Sequence, residues 1–229
     1  MKTMNNTPLE IFKNALLAAF GLFSFGFGLY LTIQANVGVA PWDTLTLGIA
    51  DTLGVLYGNV SVIMGLAILG IDLLMGEKIG IGSLLDAVIV GKTVDFFNWL
   101  NLFEPLENTW AGIALLMVGF FIMGFSQYLY MKAGLCCGPK DSLMVGIGRR
   151  LHKIPIGAVN ILITIVVLLL GWRLGGPIGI GTLIGTVAIG AMMQFAFNLV
   201  NFEPKNVVHQ NIIESIKVLT GKGQQEGAI

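Results

Sequence analysis

The chain has 229 residues, 55% of them hydrophobic and 11% charged, with a formal net charge of zero and a mean hydropathy of +0.83. Soluble domains carry about 25% charge, so the long apolar stretches read as bilayer spans rather than core helices. Neutrality points away from nucleic acid, and two adjacent cysteines, Cys136 and Cys137, exclude a framework of internal long-range disulfides.

The first helix has a marked start. Thr7-Pro8-Leu9-Glu10 supplies a capping-box threonine, a proline in the first turn and a glutamate three residues on. It is expected to run to about Ile33. No small-residue cleavage site follows, so it reads as a retained span and not a signal peptide. Further full spans are expected near 58–75, 80–101, 109–132, 155–173 and 178–200. Each is close to the ~20 residues that cross ~30 Å of hydrocarbon. Two shorter helices, near 42–53 and 140–152, have about 12 residues each, or ~18 Å of rise, which is half a crossing. After the sixth span, Val207, Val208, Ile212, Ile213, Ile216 and Leu219 recur at helical spacing among charges. This is the pattern of an amphipathic surface helix over 205–222, stopped by Gly221 and followed by a disordered tail.

The chain repeats itself. Residues 21–53 align without a gap on 119–151, matching Gly21 with Gly119, Tyr30 with Tyr128, Pro41 with Pro139, Asp43 with Asp141 and Gly48 with Gly146. After a one-residue shift, Ile79-Gly80-Ile81-Gly82 falls on Ile178-Gly179-Ile180-Gly181, and Phe103-Glu104-Pro105 on Phe202-Glu203-Pro204. Roughly a third of aligned positions are identical. The repeats, 11–105 and 109–204, hold three spans each within one membrane domain, and an odd number inverts the second copy. Basic residues test this. Lys2, Lys13, Lys78, Lys132, Lys140, Arg149, Arg150, Lys153, Lys205, Lys217 and Lys222 all fall inside if both termini are cytoplasmic. Connections 34–57 and 102–108 hold no Lys or Arg, and Arg173 alone breaks the rule.

Three groups of residues are candidates for function. Pro41-Trp42-Asp43 and Pro139-Lys140-Asp141 open the short helices, where proline fits the first turn and aspartate accepts from free amides. Two readings stand. In one, both helices re-enter the bilayer and point their positive ends at a common midplane site. In the other, they lie flat at the interface and the aspartates only cap them. The third span carries Asp86, Lys92 and Asp95, whose mates Gly185, Ala191 and Gln194 are uncharged. An ionisable group at that depth needs a partner or water. Lys92 and Asp95 share a helix face, either as a structural pair or as part of a solute site. Ser61 and Asn160 are repeat mates that either line a site or bond between helices. His152 and His209 are not spaced as ligands, the cysteine pair is a weak metal signal, and no cofactor motif or nucleophile–base pair is found.

At Gly38-Val39-Ala40-Pro41-Trp42-Asp43, at Gly138-Pro139-Lys140-Asp141 and at the two Ile-Gly-Ile-Gly entries, the chain resembles the YczE/YyaS/YitT-type bacterial integral membrane proteins, over about residues 15–205. The resemblance implies a polytopic bacterial plasma-membrane protein and supplies no agreed substrate. YitT proteins carry an extra soluble C-terminal domain, so the YczE-like branch fits better.

The expectation is an all-α integral membrane protein of six spans plus two re-entrant half-helices, both termini cytoplasmic. It is expected to move a small molecule or ion, without cofactor or enzymatic activity. The site residues expected are Asp43, Asp141, Lys92, Asp95, Ser61, Asn160, Pro41 and Pro139. Its partners are the lipid bilayer and that substrate, and a homo-oligomer is compatible with the sequence. The rival is a non-transporting membrane scaffold or regulatory partner. A wet interior favours the first and a dry, glycine-packed one the second.

Overall fold

The computed structural model describes residues 7–77, 79–135, 138–150, 156–203 and 212. Cys136, Cys137, Lys78, His152, Lys153, His209 and, apart from Ile212, the amphipathic segment 205–222 lie outside them. The described residues form eight helices and no strand. They are α1 (Pro8–Gln34), α2 (Pro41–Leu53), α3 (Tyr57–Leu74), α4 (Ile81–Leu100), α5 (Thr109–Lys132), α6 (Pro139–Arg150), α7 (Ile156–Arg173) and α8 (Ile180–Leu199). Four of them, α1, α3, α5 and α8, are long and apolar enough to cross a membrane. Of the remaining four, α4 carries Asp86, Lys92 and Asp95, α7 is shorter in its apolar part, and α2 and α6 have 13 and 12 residues.

Local chemistry sets the ends. The Thr7 hydroxyl accepts from the Glu10 amide and the Glu10 carboxylate accepts from the Thr7 amide, the capping box read in the sequence. Asn108 caps α5 by accepting from the amides of Trp110 and Ala111 at 2.9 and 3.2 Å. Gly54 closes α2 in the left-handed conformation, where a side chain would be strained.

The core is the packing of α1 on α5, with α4 against α1 and α8 against α5. Tyr30, Val94, Leu116 and Phe120 are buried there. Lipid is as apolar as these side chains, so close backbone approach holds such helices together. A Cβ on Gly21 would lie 3.1 Å from the Ser126 carbonyl oxygen, and one on Gly119 would lie 2.8 Å from that of Gly28. These two contacts match under the sequence repeat. So do others. Gly26 packs on Thr93 and Gly124 on Met192. The Gly82 amide donates to the Leu135 carbonyl at 2.9 Å, and the Gly181 amide to that of Val37 at 2.7 Å. Gly48 packs against Leu174 and Gly176, and Gly146 against Met75 and Glu77.

One pair of seams does not match. α3 lies along α4, with Gly58 on Gly91, Ser61 on Gly91 and Gly65 on Ala87. In the second copy, α7 is held by α2 and α6 and, among the described residues, makes no extensive contact with α8. Gly157 and Gly190, the mates of Gly58 and Gly91, have no described residue within 4 Å of where a Cβ would stand.

Candidate functional site

The two short helices meet through repeat mates. The Lys140 ammonium stands 5.4 Å from the centre of the Trp42 ring, within cation–π range. Two matched residues that touch each other lie where the two copies of the repeat meet. Around this contact are three carboxylates. Lys140 stands near Asp43, Asp86 and Asp141, and Asp141 near Asp86. Asp86 comes from α4 and packs onto Gly138, where any side chain would displace it. The Asp141 Oδ2 atom would be 3.8 Å from a Cβ on the same glycine. Pro41 and Pro139 open the two helices as expected, and aspartate in each first turn suits the positive helix end.

The two matched aspartates differ in exposure. Asp43 is 6% exposed and accepts a 2.9 Å hydrogen bond from the Tyr57 hydroxyl. The Thr46 and Ser61 hydroxyls face the Tyr57 hydroxyl, which places Ser61 in the layer beside Asp43. Asp141 is exposed. Position 156, the mate of Tyr57, is isoleucine and has no hydroxyl to offer. A cavity of about 200 Å³ lined by Asn36, Gly38, Val39, Leu47, Asp51 and Pro177 lies alongside α2. Tyr57→Phe should lower stability by about 2 kcal/mol, because a buried carboxylate loses its donor. Thermal unfolding of the detergent-solubilised protein checks this, and an unchanged Tm would mean that the bond is not formed.

Lys92 and Asp95 stand apart from that cluster. Asp95 accepts from the Gly58 amide at 2.8 Å, in the first turn of α3. Leu56 precedes that turn and offers no side-chain cap. A carboxylate from α4 therefore caps α3 across the helix interface. Lys92 is 3.5 Å from Asp95, donates to Asn59 at 2.6 Å, and its side chain is 49% exposed. Asn160 is exposed and accepts from Thr164 at 3.3 Å on its own helix. The structure thus brings together Asp43, Asp141 and Asp86, with Ser61 one residue removed, and leaves Lys92, Asp95 and Asn160 elsewhere.

Four participants are absent from the expected site residues: Asp86, singled out only as a charge of the third span, and Tyr57, Trp42 and Lys140. Tyr57 lacks any motif. Trp42 and Lys140 had one usable signal: they are repeat mates in the first turns of two helices expected to point at each other. At the opposite ends of these helices, Arg149 of α6 pairs with Glu77 at 3.1 Å. The Thr52 hydroxyl of α2, which donates to the Gly48 carbonyl at 2.7 Å, lies 3.2 Å from the Leu174 carbonyl.

Comparison with known proteins places the chain. A family model described as a family of unknown function, DUF6198, matches residues 12–198. The chain is 32% identical to the uncharacterized membrane protein YczE of Bacillus subtilis, over 77% of this chain and 81% of that one. It is 29% identical to an uncharacterized protein of Haemophilus influenzae over 82% and 85% of the two chains. It is 29% identical to the uncharacterized protein YyaS of Bacillus subtilis over 77% and 88%. No solved structure matches. With most of its length under the family model and four long apolar helices, the chain is a helical membrane protein that belongs to DUF6198, in the branch of YczE.

Proposed function

We propose that the protein is a small-solute transporter or channel, with its site where α2 and α6 point at each other. In this reading it has six spans, α1, α3, α4, α5, α7 and α8. α2 and α6 are re-entrant half-helices, and the second half is the first inverted. The observation that carries the reading is the pair of matched aspartates: one sealed beneath Tyr57, the other exposed. A carrier must present one central site to one side of the membrane at a time, and inverted halves are a known way to build it.

The matched contacts of α1 with α4 and of α5 with α8 support the inversion. The charges of α4 are compatible with a span, because each has a partner or a cluster inside the protein: Lys92 and Asp95 at the start of α3, Asp86 at Gly138. In this reading the distribution of basic residues favours a cytoplasmic side for both termini and for the C-terminal end of α6. The sealed aspartate then belongs to the outer half and the exposed one to the inner half. A scaffold has less use for carboxylates gathered at the centre.

The test is access to the site. In a background lacking Cys136 and Cys137, a cysteine at 141 should react with an impermeant thiol reagent in inside-out vesicles. A cysteine at 43 should not react in right-side-out cells. A scaffold with a dry interior protects both, so failure to label 141 from either side would reject transport. Cysteines at 78 and 107 fix the orientation: the first should label from inside and the second from outside.

A further inference from the structure

The unmatched seam carries more. On α8, Thr186, Gly190, Gln194 and Asn198 recur every fourth residue, and all four are exposed. On α7, Gly157 and Asn160 are exposed and Thr164 is half-buried on the same face. The hydrogen bonds of these side chains run along their own helices: Gln194 to Asn198 at 2.9 Å, Thr164 to Asn160 at 3.3 Å, Thr186 to the Leu183 carbonyl. Amides and hydroxyls on a membrane helix seek partners or water. The first copy shows what happens when these faces meet. There Gly58, Ser61 and Gly65 of α3 close on Ala87, Gly91 and Asp95 of α4, and Asp43 is sealed. In the second copy the same faces stand apart, and Asp141 is exposed.

Building on the transport reading, we infer that the cleft between α7 and α8 is the hydrated cytoplasmic entrance for a small hydrophilic solute. It closes when α7 docks on α8 through Gly157, Asn160 and Gly190. The described residues of these two faces bear amides and hydroxyls and no charge, so the cleft passes the solute by hydrogen bonding, and selection by charge is left to the carboxylates at the centre. The occupant of the closed cleft is α7 itself, because the matched faces of α3 and α4 already fit without a gap. A lipid or a second copy of the chain would instead cover a face that stays apart.

Two measurements test this in the cysteine-free background. Single cysteines at 160, 190 and 194 should react with a hydrophilic impermeant thiol reagent in inside-out vesicles. They should react about tenfold faster than cysteines at 161 and 183, the exposed apolar positions on the same helices, which face lipid in this reading. Equal, slow labelling at all five would overturn the entrance. The double variant Asn160→Cys with Gly190→Cys should form a crosslink within one chain under mild oxidation, because closure brings these positions to the contact that Ser61 and Gly91 make. Crosslinks only between chains, or none, would overturn the closure. Labelling at 141 with no labelling at 160, 190 or 194 would leave transport standing and remove this route.

Discussion

Asp95→Ala should lower the stability of the folded protein by about 2 kcal/mol, and Lys92→Met by well under 1 kcal/mol. The two residues form one ion pair, so a purely pairwise view would predict equal losses. Their surroundings differ. The Asp95 carboxylate is 11% exposed and takes the Gly58 amide at 2.8 Å. Removing it leaves a free donor in the first turn of α3, where no side chain of that helix can replace it. An unsatisfied buried donor costs about 1–3 kcal/mol, and a carboxylate at a helix N-terminus contributes a few tenths to 1 kcal/mol more. One Asp95 oxygen, Oδ2, makes no hydrogen bond, which keeps the total at the lower end. Lys92 has half its side chain exposed, and ion pairs of that kind are worth about 0–1 kcal/mol. Asp95→Asn keeps an acceptor for Gly58 and should recover more than half of the loss. Thermal unfolding of the three variants in one detergent gives the order. If Lys92→Met proved as damaging as Asp95→Ala, Lys92 would have to be buried and its charge essential to the fold.

That order could not have been read from the sequence. The spacing of Lys92 and Asp95 made a shared face certain, and the pair forms. Counting residues along α4 places Lys92 near the middle of a span, where an ammonium needs a partner or water, and leaves open which helix supplies the further contacts. The structure starts α3 at Tyr57, level with the Lys92–Asp95 stretch, so Asn59 and the Gly58 amide are at hand. Registers between helices are tertiary facts that hydropathy does not encode. What hydropathy and capping chemistry encode came through well. The starts at Thr7, Pro41, Asn108 and Pro139 rest on local hydrogen bonds and on proline, and each lies within a residue or two of its expected place. Within the candidate site, the aspartates were legible because they repeat. Tyr57 was not, because it does not repeat: isoleucine stands at its matching position. The difference between the α3–α4 and α7–α8 seams was also hidden. Gly58 and Gly157, or Gly91 and Gly190, are identical letters that a repeat alignment treats as equivalent. A conformational asymmetry between similar halves leaves no mark in composition.

That asymmetry gives the largest expected contrast in the molecule, between one substitution made at two matched glycines. Gly58→Val should be severely destabilising. A Cβ at Gly58 collides with the Asp95 carboxylate and the Gly91 carbonyl oxygen, and neither can retreat: one caps α3 and the other is helix backbone. Overpacking alone costs about 1–3 kcal/mol, and displacing the cap adds about 1 kcal/mol or more. The sum is about 3 kcal/mol or more, enough to abolish accumulation of a marginally stable protein. Gly157→Val meets open space in this structure. Its effect on stability should stay within about 0.5 kcal/mol, as at surface sites without special features. Tm and membrane yield of the two variants should therefore separate widely, although sequence, spacing and substitution are the same. Equal damage at both positions would mean that α7 rests against α8 as α3 rests against α4, and that the two halves do not differ in the resting protein. A tolerated Gly157→Val has a second use. The added side chain would obstruct the docking of α7 on α8, so a stable variant should fail to form the 160–190 crosslink. Stability would then be retained while closure is lost, a combination that poor folding cannot produce.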